Sequence, residues 1–461
     1  MSTRIKIMTD GKPASLIFTF ALPLMIGNVF QQLYTVVDTM VVGKGLGVSA
    51  LAALGAADWM NWLMLGIIQG ITQGFGILMA QEFGAGKYDD LRKTIGCSIA
   101  LSLISSIVLL CSGQAVARPV LNLLQTPPEI IDNSLLYLRI MYLGIPVVMS
   151  YNLFATILRS LGDGRTPLHA MIVAAITNIV LDLLFVPVLG FGISGAAVAT
   201  LIAQLVSSLF CLYHIRKIEI LTLASSDYSL SGHLPSKLLM LGFPMAFQNA
   251  IISVGGMIVQ FVVNGFGVIF IAGFTATNKL YGVLEVAATS YGYAMVTYSG
   301  QNLGAGKIDR IRKGMRASLW IALLTSALIA AIMLLGGRTI LSCFISGTPE
   351  EFEQTLQIAY YYLAIMSICL PILYILHVTR STIQGMGNTV LPMVSGIADF
   401  IMRALTAILL PMVVGETGIF YAEIMAWTGA DVILISSYFV VLKKTEKLLS
   451  DKNTSATHLQ G

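Results

Sequence analysis

The sequence predicts an all-α polytopic membrane protein: twelve transmembrane helices forming two parallel six-helix lobes, an internal duplication, around a central cleft. Three observations lead there. The 461 residues are 56% apolar and only 11% charged, whereas soluble domains carry about 25% charge. The apolar residues gather in runs that reach the roughly 20 residues a bilayer crossing needs, without the alternation of a membrane barrel. A polar loop motif then recurs 220 residues further along the chain. Soluble enzyme, secreted disulfide scaffold and disordered chain are excluded by the first observation alone.

In chain order, a polar and basic segment (MSTRIKIMTDGKPAS) precedes an apolar run too long for a signal-peptide core, so it reads as a retained first helix. The first lobe's spans are expected at 16–42, 51–80, 94–117, 134–157, 168–189 and 193–214. The second lobe's lie at 237–263, 268–299, 317–336, 355–379, 390–413 and 418–442. The basic residues test this count independently. With the N-terminus inside, twenty-one of the 27 lysines and arginines fall on cytoplasmic segments, Arg380 among them; only Lys44, Arg118 and Arg338 fall on external loops, and the last three lie within spans. The positive-inside rule expects such a split for an even span count with both termini cytoplasmic. The protein is therefore placed in the plasma (inner) membrane. The five cysteines are scattered and suggest neither a disulfide framework nor a metal site.

The motif is QEFGAGKYDDLRK at 81–93 and QNLGAGKIDRIRK at 301–313, identical at eight of thirteen positions. Other landmarks follow at offsets of 220 to 225: LPLM (22–25) with FPMA (243–246), Tyr137 with Tyr362, Pro146 with Pro371, and GDGRT (162–166) with GMGNT (385–389). Six spans per copy is an even number, so both copies insert from the same side and the repeat is parallel. The domains follow: an N-terminal lobe at 1–215, a cytoplasmic linker at 216–236, a C-terminal lobe at 237–442 and a polar tail, partly disordered, at 443–461. The GAGK loops lack the earlier glycine and the following Ser/Thr of a phosphate loop. They read as tight turns whose basic residues meet the inner leaflet.

A charge in mid-bilayer costs about 2.5–3.5 kcal/mol even on the lenient insertion scale, so each one needs a reason. In the first lobe the deep acids are Asp38 and Asp182. Gln31, Tyr34 and Asp38 share one helix face, as do Asn178 and Asp182, and Thr200 and Gln204 are four apart. Unpaired carboxylates among amides, hydroxyls and a phenol can bind a small cation or carry a proton. In the second lobe Asp399 and Arg403 are four apart and read as a structural ion pair, while Lys279 and Glu285 are expected to pair across helices with groups such as Glu423 or Asp431. Pro23 removes a backbone hydrogen bond from the first span and permits a bend.

Twelve spans, the parallel repeat, the two GAGK loops and the series Pro23, Gln31, Tyr34, Asp38 together resemble the multidrug and toxic compound extrusion (MATE) family, over about residues 13–442. The resemblance is to its DinF-like branch. It implies an antiporter that expels amphipathic organic cations in exchange for H+ or Na+. It assigns the cation or proton site to Asp38, Asn178, Asp182 and Thr200, with Tyr34 beside it and Pro23 as the bending proline. The family's other branch relies on acids in spans 7 and 10, and those spans contain none here. Gln31, Asn152 and Gln204 are candidates for lining the substrate path. No cofactor, enzymatic activity or nucleic-acid partner is expected; the partners are small-molecule drugs and the lipid bilayer, with the chain acting as a monomer. The alternative is a flippase for lipid-linked or polysaccharide precursors of the same superfamily, which would need a basic cleft lining for phosphates.

Overall fold

The computed structural model describes residues 5–124, 126–345 and 348–458, and among these the architecture is helical throughout. The first half holds α1 (Pro13–Leu46), α2 (Val48–Gly84), α3 (Tyr88–Leu123), α4 (Pro128–Leu143), α5 (Ile145–Ser160), α6 (Arg165–Leu183) and α7 (Gly192–Ile215). The second holds α8 (Leu234–Val263), α9 (Val268–Gly304), α10 (Ile308–Ser342), α11 (Pro349–Gly385), α12 (Val390–Val414) and α13 (Ala422–His458). Ten of these segments are long and apolar enough to span a membrane, and α4 with α5 make an eleventh, bent by 49°. The twelfth rod, α9, is equally long but carries Lys279 and Glu285. The bend follows from Gly144 and Pro146: proline cannot donate to the preceding turn, and a Cβ at Gly144 would fall 2.0 Å from Leu201 on α7. Large apolar side chains point outward, Leu335 at 89% and Val413 at 80% exposure, as helices bathed in lipid require.

Several helices outrun the spans expected for them. α11 continues to Gly385, six residues beyond the end expected for that span, so Arg380 lies within a helix. The tail, expected to be partly disordered, continues α13 as far as His458, and residues 459–461 lie outside the described residues.

The duplication is visible in the turns. Positive-φ glycines recur in pairs: Gly47 with Gly267, Gly86 with Gly306, Gly162 with Gly387, and Gly190 with Gly415. The third pair corrects the letter-for-letter match of GDGRT with GMGNT, which is out of register by two residues. Asp163 Oδ1 accepts from the backbone N–H of Thr166 at 2.9 Å, and Asn388 Oδ1 accepts from that of Leu391 at 3.1 Å. Asp163 and Asn388 are thus equivalent, each satisfying an orphan donor at the start of the next helix.

Gly162 has φ +79°, and a Cβ there would meet the Lys6 carbonyl oxygen at 2.1 Å. Gly86 has φ +72° with open space around it. Gly86→Ala should therefore cost only the left-handed penalty of about 1–2 kcal/mol. Gly162→Ala adds a backbone clash, and its thermal unfolding midpoint in detergent should fall clearly further; equal midpoints would contradict the packing.

Compact units do not divide at the repeat boundary. One comprises Met1–Ile7 and Leu22–Ala250, the other Met8–Ala21 and Ile251–Gly461. In the first, α2 and α8 approach through a stripe of small residues: a Cβ on Gly70 would fall 2.4 Å from Ala246, and one on Gly74 would fall 2.4 Å from Gly242. In the second, the segment before α1 docks on the repeated loop. The Met8 N–H donates to Gln301 Oε1 at 2.8 Å, Asn302 Nδ2 donates to Met8 O at 3.1 Å, and Arg310 Nη2 donates to Gly11 O at 3.0 Å. Lys307 Nζ pairs with Asp10 at 2.8 Å and holds that carboxyl below the usual carboxylate range. These two cations therefore hold the N-terminal segment, a more specific task than the leaflet contact expected of them.

Candidate functional site

The first unit assembles the acid cluster from α1, α6 and α7. Asp182 is fully buried and Asn178, one turn earlier on α6, is 1% exposed. Asp38, on α1, approaches Asp182 closely enough for the two carboxyls to interact directly. Tyr34, one turn before Asp38, lies within reach of Gln31 and of Gln204 on α7. Asn178 Nδ2 donates to Thr200 Oγ1 at 3.4 Å, a long bond that ties α6 to α7. Asn152 stands apart from this chain of contacts: its Nδ2 donates to Val148 O at 2.9 Å within α5.

The hydrogen-bond inventory of this cluster is lopsided. Asp38 Oδ1, both Asp182 oxygens, Asn178 Oδ1 and Gln204 Oε1 are buried and accept no hydrogen bond. Five oxygens therefore await donors, and burying them unmet is costly. Hard oxygens that lack donors suit a proton or a small cation such as Na+, and the residues fit either ion. Just past Asp182 the helix widens into a π-turn, Leu184–Val188, containing Pro187. Such turns loosen the backbone ladder and recur at functional sites.

Two neighbours escaped the sequence reading. Asp58, on α2, acts electrostatically on Asp38; it is an acid inside an expected span, and its presence in AADWMN was the available signal. Tyr137, on α4 and 6% exposed, feels Asp38, Asp58, Asp182 and Tyr34. In sequence it served only as a landmark of the repeat.

The second unit holds the other charges. Arg403 Nη2 donates to Asp399 Oδ1 at 2.9 Å and Nε to the same oxygen at 3.2 Å. Arg403 also pairs with Glu423 of α13. Glu285 Oε1 lies 3.5 Å from His377 Nε2. The expected partnership of Lys279 with Glu423 or Asp431 is thus replaced: Glu423 belongs to Arg403, Asp431 Oδ1 accepts no hydrogen bond, and Lys279 is exposed. Pro23 sits just past the point where α1 passes from the second unit to the first.

Comparison with known proteins extends this picture. The sequence model of the MatE family matches residues 23–184 and 244–409, one stretch in each half of the chain. A probable multidrug resistance protein of Bacillus subtilis, YoeA, is 27% identical over 386 residues, 82% of each chain. The DNA damage-inducible protein F of Escherichia coli is 25% identical over 357 residues, 76% of each. An outward-facing multidrug resistance MATE family transporter of the MOP superfamily superposes with a TM-score of 0.88 at 20% identity, over 97% of this chain and 99% of that one. That last likeness concerns the fold.

Proposed function

This chain belongs to the MatE family, and from that premise we propose that it is a secondary active exporter of amphipathic, cationic small molecules, driven by inward H+ or Na+. The family and its multidrug relatives make it a multi-pass membrane transporter; the ion, the charge of the substrate and the direction are our reading. One observation carries it: Asp38 and Asp182 approach each other from different helices, and Asp38 Oδ1 and both Asp182 oxygens are buried without a donor.

Two like charges about 4 Å apart at an effective dielectric of 20 repel by about 4 kcal/mol. A proton or Na+ arriving between these carboxyls removes most of that repulsion. Inverting a two-state population from 1:99 to 99:1 takes about 5.5 kcal/mol, so one ion supplies the greater part. Uptake from outside draws Asp38, and α1 with it, toward α6. Pro23 lowers the resistance of α1 to such a shift, because it cannot donate a backbone hydrogen bond. Substrate leaves to the outside, the ion leaves to the cytoplasm, and each favours a different state, as coupling demands. Gln31 and Gln204 line the route beside Tyr34, and the chain works as a monomer in the cytoplasmic membrane with both termini inside.

The acids of this site disfavour phosphate head groups, which argues against the flippase alternative. The test is efflux of a fluorescent organic cation from proteoliposomes under pH and Na+ gradients imposed one at a time. One gradient should drive transport and the other should not. Transport that ignores both would sink the proposal.

A further inference from the structure

In its second copy the repeated loop does more than turn the chain. Four of its side chains grip the strap before α1, almost wholly through backbone atoms. Gln301 Oε1 accepts from the Met8 N–H at 2.8 Å, while Met8 O accepts from Asn302 Nδ2 at 3.1 Å and from Arg310 Nη2 at 3.3 Å. Lys307 Nζ donates to Thr9 O at 3.1 Å, and Arg310 Nη2 to Gly11 O at 3.0 Å. Arg310 Nε also donates to Asn302 Oδ1 at 3.0 Å, which keeps those two donors in register. Met8 is fully buried and Thr9 is 6% exposed, so a short pin of the strap is seated in the second unit. The first copy is not built for this task. At the offset of 220, Gln81 and Lys87 match Gln301 and Lys307, but Glu82 and Asp90 stand in the places of Asn302 and Arg310. An ionised carboxyl donates nothing to a carbonyl oxygen, and Glu82 Oε2 is buried without a hydrogen-bond partner. The two places where the copies differ in charge are therefore the two that hold Met8 O.

What this grip holds is the start of a lever. Among the described residues, Met8–Ala21 is the one stretch of the first 250 that belongs to the second unit. It has a joint near each end: a non-helical turn with Gly11 at φ +94°, and Pro23 just past Ala21. The same helix carries Asp38, so any shift of α1 that follows ion uptake must be absorbed at one of these joints. Hydrogen bonds from side chains to backbone carbonyls are exchanged for bonds to water at small net cost. The Lys307 and Asp10 side chains are already partly wetted, at 41% and 79% exposure, so water can enter the grip from its rim. We infer that the loop at 301–310 is a detachable latch, from which the strap at 8–11 is released and recaptured in each transport cycle. The inference rests on the exporter reading and adds to it a step at the cytoplasmic start of α1.

The test ties the strap to the loop. In a chain whose five cysteines are replaced by serine, Asp10→Cys and Lys307→Cys are bridged by a short bis-methanethiosulfonate. Gradient-driven efflux of a fluorescent cation is then measured in proteoliposomes, with the unbridged variant as reference. Bridging should lower efflux about tenfold or more, because a protein held in one state cannot alternate, and a monofunctional methanethiosulfonate should leave it within about twofold. Cleaving the bridge with dithiothreitol should restore the rate. Efflux that continues through the bridge, an equal loss with the monofunctional reagent, or cysteines that do not bridge would each overturn the latch. Should the unbridged variant not transport, hydrogen exchange on the wild type carries the test. The peptide containing Met8 should then exchange about threefold faster or more during turnover than at rest, as its amide leaves Gln301, and an unchanged rate would make the strap a fixed anchor. A wild type that moves no dye under any gradient would overturn the exporter reading and the latch with it, whereas export that survives the bridge would overturn the latch alone.

Discussion

Asp38→Asn is expected to abolish gradient-driven efflux, to background and at least about a hundredfold, while the protein still folds and inserts. The substitution keeps shape and hydrogen-bonding capacity and removes only the ability to hold a charge or exchange a proton. The introduced amide can donate to an Asp182 oxygen that now lacks a donor, so stability should hold or rise, and a thermal midpoint in detergent checks this. What is lost is the repulsion that an arriving ion relieves, and with it any differential affinity of the ion for the two states. Asp182→Asn should behave alike. Asp58→Asn should act more weakly, because Asp58 influences Asp38 only through its field and is itself exposed. Normal dye export by Asp38→Asn would remove the carboxyl pair from the mechanism.

How far the sequence carried this reading differs from element to element. The acid pair was legible because a lone acid in an apolar run has few tolerable explanations, and the three- and four-residue spacings of Gln31, Tyr34 and Asp38 report helix faces directly. The end of α11 was less legible. A basic residue at the end of an apolar run looks like a cytoplasmic cap, so the expected span stopped at 379, whereas the helix runs on to Gly385. The capture of Glu423 by Arg403, and of Met8 by Gln301 and Asn302, joins residues 20 and almost 300 positions apart. No local periodicity encodes such contacts. The slipped match of GDGRT with GMGNT shows a limit of letter identity: the chain preserved a positive-φ glycine followed by a side-chain acceptor, and the identical letters happened to lie elsewhere.

The corrected register also explains why the two halves differ in chemistry. With the offsets set by Pro23/Pro244 and Asp163/Asn388, Tyr34 corresponds to Gly255, Asn178 to Arg403, and Asp182 to Ala407. A Cβ on Gly255 would come within 3.0 Å of Arg403 Cδ. The phenol in one copy is thus an open place in the other, and a guanidinium stem fills it. Duplication supplied one scaffold twice; the first copy keeps a cluster of unpaired acids, and the second sets two of its acids, Asp399 and Glu423, against Arg403.

That neutralisation yields an unequal set of outcomes. Arg403 is 6% exposed and serves two carboxylates, Asp399 at 2% exposure and Glu423. Asp399→Asn leaves Arg403 and Glu423 as a balanced pair and should cost little, within about 1 kcal/mol, because the amide can still accept from the guanidinium. Arg403→Met strands two buried carboxylates and should cost about 3–5 kcal/mol, seen as poor insertion or a collapsed thermal midpoint. Adding Asp399→Asn to Arg403→Met should recover only part of the loss, since Glu423 stays unpaired. Adding Glu423→Gln as well should recover most of it, because a fully neutral cluster has no buried charge left to solvate. Thermal midpoints for the single, double and triple variants give the order directly. If Arg403→Met proves no worse than Asp399→Asn, Arg403 is not the counter-charge of this cluster. If the triple variant stays as unstable as the single, shape and packing around the guanidinium stem hold α12 to α13, and the charges do not.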